Sequence, residues 1–259
     1  MVPLVFLDCL DMAAPSWRPA LAQGLELMAR QDPAYLLALS KDRFLPTGGR
    51  IFSAFEQPLE AVNYVLVGEG PYPREQSATG VCFMDGAVRS LWSEQGLSKP
   101  VNRATSLRNF MKMLMVADGW LRPDATGGES VAPVAAKVMR PGSGVIQTLP
   151  ELQRNLTDHG FLLLNAALAF RPHVPPVKEA KAWRPFLDTV LEALTDRPGK
   201  SPPTLVLWGR IAQWLEDLPA ASRFPKAVAE HPYNLSFIQN RAMQDLFGPM
   251  RLLRAKNFN

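Results

Sequence analysis

The chain has 259 residues, 47% of them hydrophobic, and a net charge of +4. That apolar content excludes a disordered chain, and no apolar run approaches the ~20 residues that a membrane helix needs. Two cysteines exclude a disulfide scaffold and a four-cysteine metal or iron–sulfur site, and three scattered histidines without paired spacing give no metal site. The mild basicity permits contact with a polyanion without demanding it. The low cysteine count fits a reducing, cytoplasmic setting.

The first residues carry Asp8 and Asp11 inside an apolar run and lack a basic leader, so they read as part of the fold. Residues 17–30 and 33–40 read as a helical pair. The run NYVLV at 63–67 reads as a buried strand that ends in the turn Gly68-Glu69-Gly70-Pro71-Tyr72-Pro73. Residues 106–117 read as a helix, with Ser106 as its N-cap and apolar residues at helical spacing. Residues 120–141 have the least regular pattern and are expected to form a surface insertion. Residues 149–159 read as a helix that Gly160 closes. The apolar runs Phe161–Asn165 and Thr204–Trp208 read as further buried strands, and residues 226–230 as a weaker one. A helix is expected from about residue 183 to 194, with Pro185 in its first turn. Residues 210–218 and 238–254 complete the helical set.

Strands alternating with helices predict an α/β fold. Its centre would be a four-stranded, mostly parallel sheet with helices on both faces. The expected organisation is a single domain over residues 1–259, with residues 1–44 as an N-terminal helical extension. In such sheets the functional cleft lies beyond the carboxyl ends of the strands. That rule selects the loops 68–73 and 165–172, the segment from Gly209 onward, and the loop 231–236.

Taken as isolated residues, these positions have ordinary structural uses. Two glycines allow a tight turn, Tyr72 and Phe83 suit a core, and Asn165 could cap the next turn. Cys82 reads as a small buried filler rather than a nucleophile. Arg103, Arg108 and Lys112 form a modest basic group near Ser106, as expected of ordinary solvated charges.

In order, the motifs resemble the uracil-DNA glycosylase superfamily, most of all its first family. That family carries Gly-Gln-Asp-Pro-Tyr-His, and thirteen residues after its first Gly comes Leu-Cys-Phe. Here Gly68-Glu69-Gly70-Pro71-Tyr72-Pro73 is followed at the same offset by Val81-Cys82-Phe83. Ser53-Ala54-Phe55 stands where the family has Asn-Ala-Phe, and Ser106-Leu107-Arg108-Asn109 resembles its Pro-Ser-Leu-x-Asn helix start. Leu162-Leu163-Leu164-Asn165 and Leu207-Trp208-Gly209 resemble its Leu-Leu-Leu-Asn and Leu-Trp-Gly elements. His231-Pro232-Tyr233-Asn234-Leu235-Ser236 stands where the family has His-Pro-Ser-Pro-Leu-Ser.

The resemblance implies a monomeric DNA N-glycosylase that needs no metal or cofactor. It would act on uracil-containing DNA, single- or double-stranded, by extruding the base into a pocket. Phe83 would stack on the base, Asn165 would recognise the uracil edge, and Tyr72 would exclude the methyl group of thymine. Gly68 and Gly70 would line that pocket. His231 would donate to uracil O2 as charge builds there. Leu235 would wedge into the duplex, and Ser236 and Ser106 would contact phosphate.

At the family's catalytic carboxylate this chain has Gly70, which can neither hold water nor stabilise a cationic sugar. Glu69, one position earlier, is the candidate to take that part, since another family of the superfamily carries Gly-Glu-Ala-Pro here. Glu75 and Asp85 are weaker candidates. The expected activity is therefore weak or altered. The alternative is a non-catalytic homologue that binds DNA or a protein partner through the same cleft.

Overall fold

The computed structural model describes residues 1–255. In chain order the elements are helices α1 (Leu4–Asp8), α2 (Arg18–Gln31) and α3 (Tyr35–Lys41), strands β1 (Tyr64–Gly68), β2 (Trp92–Ser93) and β3 (Gly96–Leu97), and helices α4 (Lys99–Arg103), α5 (Thr105–Ala117), α6 (Gly128–Val138) and α7 (Leu149–Asp158). There follow β4 (Phe161–Asn165), α8 (Pro176–Thr195), β5 (Thr204–Trp208), α9 (Ile211–Glu216), β6 (Lys226–Ala229) and α10 (Arg241–Phe247). The chain divides into two compact units, Met1–Gly86 with Gly160–Lys226, and Ala87–His159 with Ala227–Asn259.

The first unit is built on a parallel sheet of strand order β4-β1-β5-β6, whose last strand begins at the unit's final residue. β1 pairs in parallel with β4 on one side and β5 on the other, so Val65 lies between Leu162 and Leu205. The expected runs form these strands because they are apolar on both faces. Val65, Val67, Leu162, Leu164, Leu205 and Leu207 enter one cluster with Leu21, Leu25 and Met28 of α2 and Trp183, Phe186 and Val190 of α8. Leu66, Leu163 and Val206 alternate with them and are buried too. Burying each such side chain contributes about 1.5–3 kcal/mol.

The N-terminal helices are tied into this core. Trp17 is fully buried, and its Nε1 donates to the Gln57 carbonyl at 2.9 Å. Gln57 Nε2 in turn donates to the carbonyl of Phe161, the first residue of β4, at 2.7 Å. α2 packs along α8. That helix begins at Pro176 rather than near residue 183. Pro176 at the first position has its backbone angle preset for a helix, so Pro185 falls in the interior instead.

The second unit pairs the short antiparallel strands β2 and β3 with helices α4, α5, α6, α7 and α10. α5 starts at Thr105 with Ala104 at the cap position, so Ser106 is not its N-cap. The serine that caps here is Ser98, whose Oγ accepts from Val101 N at the head of α4. The segment 120–141 is not an irregular insertion, because α6 lies within it. Val131, Ala135 and Val138 of α6 are buried at helical spacing, and the helix packs against β3. α7 has a full capping box of Thr148 and Glu151. Gly160, with φ of +83°, follows it. A Cβ there would lie 2.6 Å from the Ala61 carbonyl.

The expected helix over 238–254 is broken. A turn of 3-10 helix over Leu235–Gln239 precedes α10, and another over Gly248–Met250 follows it. Asn240 imposes the break, because its extended backbone interrupts the helix while its Oδ1 accepts from Met243 N at 3.1 Å.

Candidate functional site

In the first unit β1 and β4 end side by side, with Gly68 paired to Asn165. The chain continues the ladder past the strand ends, Ala166 N donating to the Gly68 carbonyl at 2.8 Å and Ala167 N to the Glu69 carbonyl at 3.1 Å. A Cβ on Gly68 would lie 2.5 Å from Cys82 Sγ and 3.3 Å from Asn165 Oδ1. Only glycine lets the Asn165 amide and the Cys82 thiol approach the backbone this closely. Asn165 is 4% exposed, so its side-chain amide is largely withdrawn from water. An amide offers one acceptor and one donor edge, so this position is prepared for a ligand that presents the complement.

Cys82 N donates to the Leu163 carbonyl at 3.0 Å, which anchors the 80–84 segment on β4. The next residue, Phe83, has φ of +67°. For a bulky L-residue that conformation costs of order 1–3 kcal/mol and persists only where the surroundings enforce it. The Phe83 ring stands edge-on to Trp208 at the end of β5, with centroids 5.4 Å apart. Tyr72 is half-buried; burial first, and the nearby Cys82 and Asp85 second, raise its hydroxyl well above the ordinary tyrosine value. Burial pushes the Cys82 thiol up to about 12, so it stays protonated and unreactive at neutral pH.

The acids of this unit lie in different settings. The Glu69 side chain is 70% exposed, and its Oε1 is 4.0 Å from Arg210 Nη2. Gly70 is exposed, and a Cβ there would meet only the Ala167 carbonyl at 3.6 Å and the Ala167 Cβ at 3.7 Å. Those are ordinary contacts, so the backbone accepts a side chain at 70 without strain. Asp85 is buried, with Oδ2 3.5 Å from Arg74 Nη2. Glu75 is exposed and engaged by Arg43 and by the Thr47 hydroxyl.

The second unit carries His231, Leu235, Ser236 and Ser106. His231 follows β6 and is exposed. Its Nδ1 accepts from Tyr233 N at 3.1 Å, which leaves the ring proton to Nε2. The His231 carbonyl accepts from Asn234 N at 2.9 Å and from Asn234 Nδ2 at 3.2 Å, closing a tight turn. Leu235 and Tyr233 are each 68% exposed. Ser236 is exposed and hydrogen-bonded to the Glu230 carboxylate, which also accepts from Asn240 Nδ2 at 2.7 Å. Partial burial would raise the Glu230 carboxyl, but these hydrogen bonds outweigh it and hold the group below the usual carboxylate range. Ser106 is half-buried in the first turn of α5, and that helix packs on the 235–239 turn.

Six of the expected residues thus gather on the first unit, namely Gly68, Glu69, Gly70, Tyr72, Phe83 and Asn165. The other four lie on the second. Sequence reasoning matched Asn109 to the family's helix start but gave it no role; it is fully buried on α5. Its Nδ2 donates to the carbonyls of Pro232 at 2.8 Å and of Tyr233 and Asn234 at 3.3 Å each. A polar residue among the apolar positions of a helix was the available signal. Trp208 as a wall for Phe83 had no signal, since nothing local joins residues 83 and 208. Burial first, and the Arg108 charge second, lower the Lys112 ammonium, so these two cations of α5 feel each other.

No family model matches the chain. A curated relative named uracil-DNA glycosylase, from a Nocardioides species, is 29% identical over 246 residues, covering 94% of this chain and 87% of that one. Another of the same name, from Mycobacterium avium, is 28% identical over 246 residues, covering 95% and 89%. The crystal structure of the wild-type UNG from Nitratifractor salsuginis is 36% identical and superposes with a TM-score of 0.85, covering 96% of this chain and 97% of that one. At that identity and coverage, the chain belongs to the uracil-DNA glycosylase superfamily.

Proposed function

We propose that the chain is a monofunctional DNA N-glycosylase that removes uracil or a related base flipped from DNA, with an activity weakened or altered by Gly70. The observation that carries this reading is the buried Asn165 amide, set at a strand's carboxyl end beside a glycine that has room for nothing else. A uracil edge offers the matching donor and acceptor. Phe83, held in a left-handed conformation, supplies a face for the base, and Tyr72 supplies a wall that the thymine methyl would strike.

In the reaction the bond between the sugar C1′ and the base nitrogen breaks, and its electron pair leaves with the base. His231 Nε2–H donates to the O2 that gains this charge, a part that suits a neutral imidazole whose Nδ1 is already an acceptor. Water then adds to C1′, its proton passes to the base anion by way of solvent, and the products are an abasic site and the free base. Gly70 offers no group to orient that water, and Glu69 reaches it only by leaving Arg210 and turning inward. DNA phosphates supply the remaining stabilisation of the sugar cation. Leu235 fills the space the base leaves, and the Ser236 backbone and Ser106 take phosphates. We place this activity in the cytoplasm and in a monomer; among the described residues no helix is long and apolar enough to cross a membrane.

The test is incubation with duplex and single-stranded oligonucleotides carrying one uracil, scored for abasic sites. No product at stoichiometric protein would refute it. A second reading is favoured by the outward Glu69 and the missing side chain at 70, and makes the chain a non-catalytic member that holds DNA, or a protein partner, through the same residues. Retention of uracil-containing DNA without product would select it.

A further inference from the structure

We propose that Tyr233 is a stacking platform for an unpaired base, so that the loop 231–236 favours single-stranded over duplex DNA. The proposal rests on the reading of this chain as a DNA-binding protein and names the form of DNA it prefers.

An aromatic ring 68% exposed, two residues from an equally exposed leucine, is apolar surface without cover. The backbone beneath it is saturated. Tyr233 N donates to His231 Nδ1, the Tyr233 carbonyl accepts from Asn109, and the flanking carbonyls of Pro232 and Asn234 accept from the same amide. The ring is therefore presented on a fixed stem, and binding would order only its own torsions. That is the economy by which exposed tyrosines serve as contact surfaces.

The surrounding charge suits a nucleic-acid strand. Arg108 Nε donates to Asn109 Oδ1 at 3.4 Å, so its guanidinium sits one amide away from the loop. Lys112 follows one turn along α5, and Arg103 is exposed just before that helix. A sugar–phosphate strand meets such cations, while its bases meet the ring. Bases of a duplex are already paired and stacked, and they offer Tyr233 only a phosphate or sugar edge. A base in a single strand can turn onto the ring without breaking a pair.

The experiment compares the full chain with Tyr233→Ala and Tyr233→Phe, each titrated into a fluorescent single strand and its matched duplex, with and without one uracil. Anisotropy should show single-strand affinity reduced about tenfold in Y233A, duplex affinity little changed, and both retained in Y233F. A 2-aminopurine base placed beside the uracil should be quenched by the wild-type chain and by Y233F but not by Y233A. Equal single-strand affinity for Y233A and wild type would overturn the proposal, as would an equal loss on both forms of DNA. Failure of the glycosylase reading looks different: no abasic product and no preference for uracil, with the Tyr233 effect on a uracil-free strand intact. A wild-type chain that binds neither form would end both.

Discussion

At the strand ends of the first unit a polar group is buried: Asn165 is 4% exposed, with its Oδ1 packed against Gly68. On the loop 231–236 of the second unit the reverse holds. Tyr233 and Leu235 are 68% exposed, while Asn109 and His231 hold the backbone of Pro232, Tyr233 and Asn234. A buried amide is cut off from water, and an exposed ring lacks cover. Each is stable only because the rest of its unit outweighs the cost. Both deficits are ones a flipped base and its strand would remove, the first by hydrogen bonds and the second by stacking. On the proposed reading, the amide would read chemical identity and the loop would read the form of the strand.

The largest effect should come from the buried side of this comparison. Asn165→Ala is expected to reduce single-turnover excision by about 10²–10³-fold, the usual cost of losing one preorganised donor. Its thermal midpoint should hold, because the truncation removes a polar group that burial penalises. A midpoint that falls by several degrees would mean that the amide has a structural duty and that the comparison is wrong. Gly70→Asp is next, an expected gain of about 10²-fold in the same assay. The contacts at 3.6 and 3.7 Å leave room for the new side chain, so stability should be unchanged. If excision does not rise while the fold is intact, the carboxylate would be shown to lie out of reach of the water.

Gly68→Ala tests the packing that makes the Asn165 pocket. The new Cβ would come 2.5 Å from Cys82 Sγ, which must shift, at a cost of about 1–3 kcal/mol. Chemical denaturation measures that loss. Adding Cys82→Ala should return most of the stability, since the sulfur is the closest neighbour. It should not return excision, because the Cβ would still crowd Asn165 Oδ1 at 3.3 Å. Recovery of both would show that the glycine serves the thiol alone.

Much of the sheet was legible in the sequence, for a definite reason. Each of the runs VLV, LLL and LVL is apolar on both faces and bounded by a turn residue, so periodicity and length alone identify β1, β4 and β5. The rule that ligands bind beyond strand carboxyl ends then selected Gly68 and Asn165, which the register does pair. The side-chain direction of Glu69 was not legible, because it depends on how the turn leaves the strand and not on residue type. The left-handed Phe83 and its Trp208 wall were equally hidden, being made by contacts distant in sequence. α6 was missed for a different reason. Its spacing of Val131, Ala135 and Val138 is helical, but Gly127, Gly128 and Pro133 read locally as breakers, and burial overrode them.

The smallest expected effect belongs to the exposed side and concerns Glu230. Hydrogen bonds from Ser236 and Asn240 hold its folded carboxyl below the usual range. The folded state therefore binds this proton less readily than the unfolded chain does. The sign follows from linkage: the stabilisation is complete above the unfolded value of about 4.3, and is lost as pH falls through the lower folded value. Between those points the wild-type chain should lose stability faster on acidification than Glu230→Gln, which has no proton to take up there. Near neutral pH the variant should be slightly less stable, since a neutral amide is a weaker acceptor for the Ser236 hydroxyl. Thermal melts at stepped pH would read the two slopes. Parallel curves would mean that Ser236 does not lean on Glu230 in solution, which would free its hydroxyl for phosphate and make the loop less self-contained than its hydrogen bonds indicate.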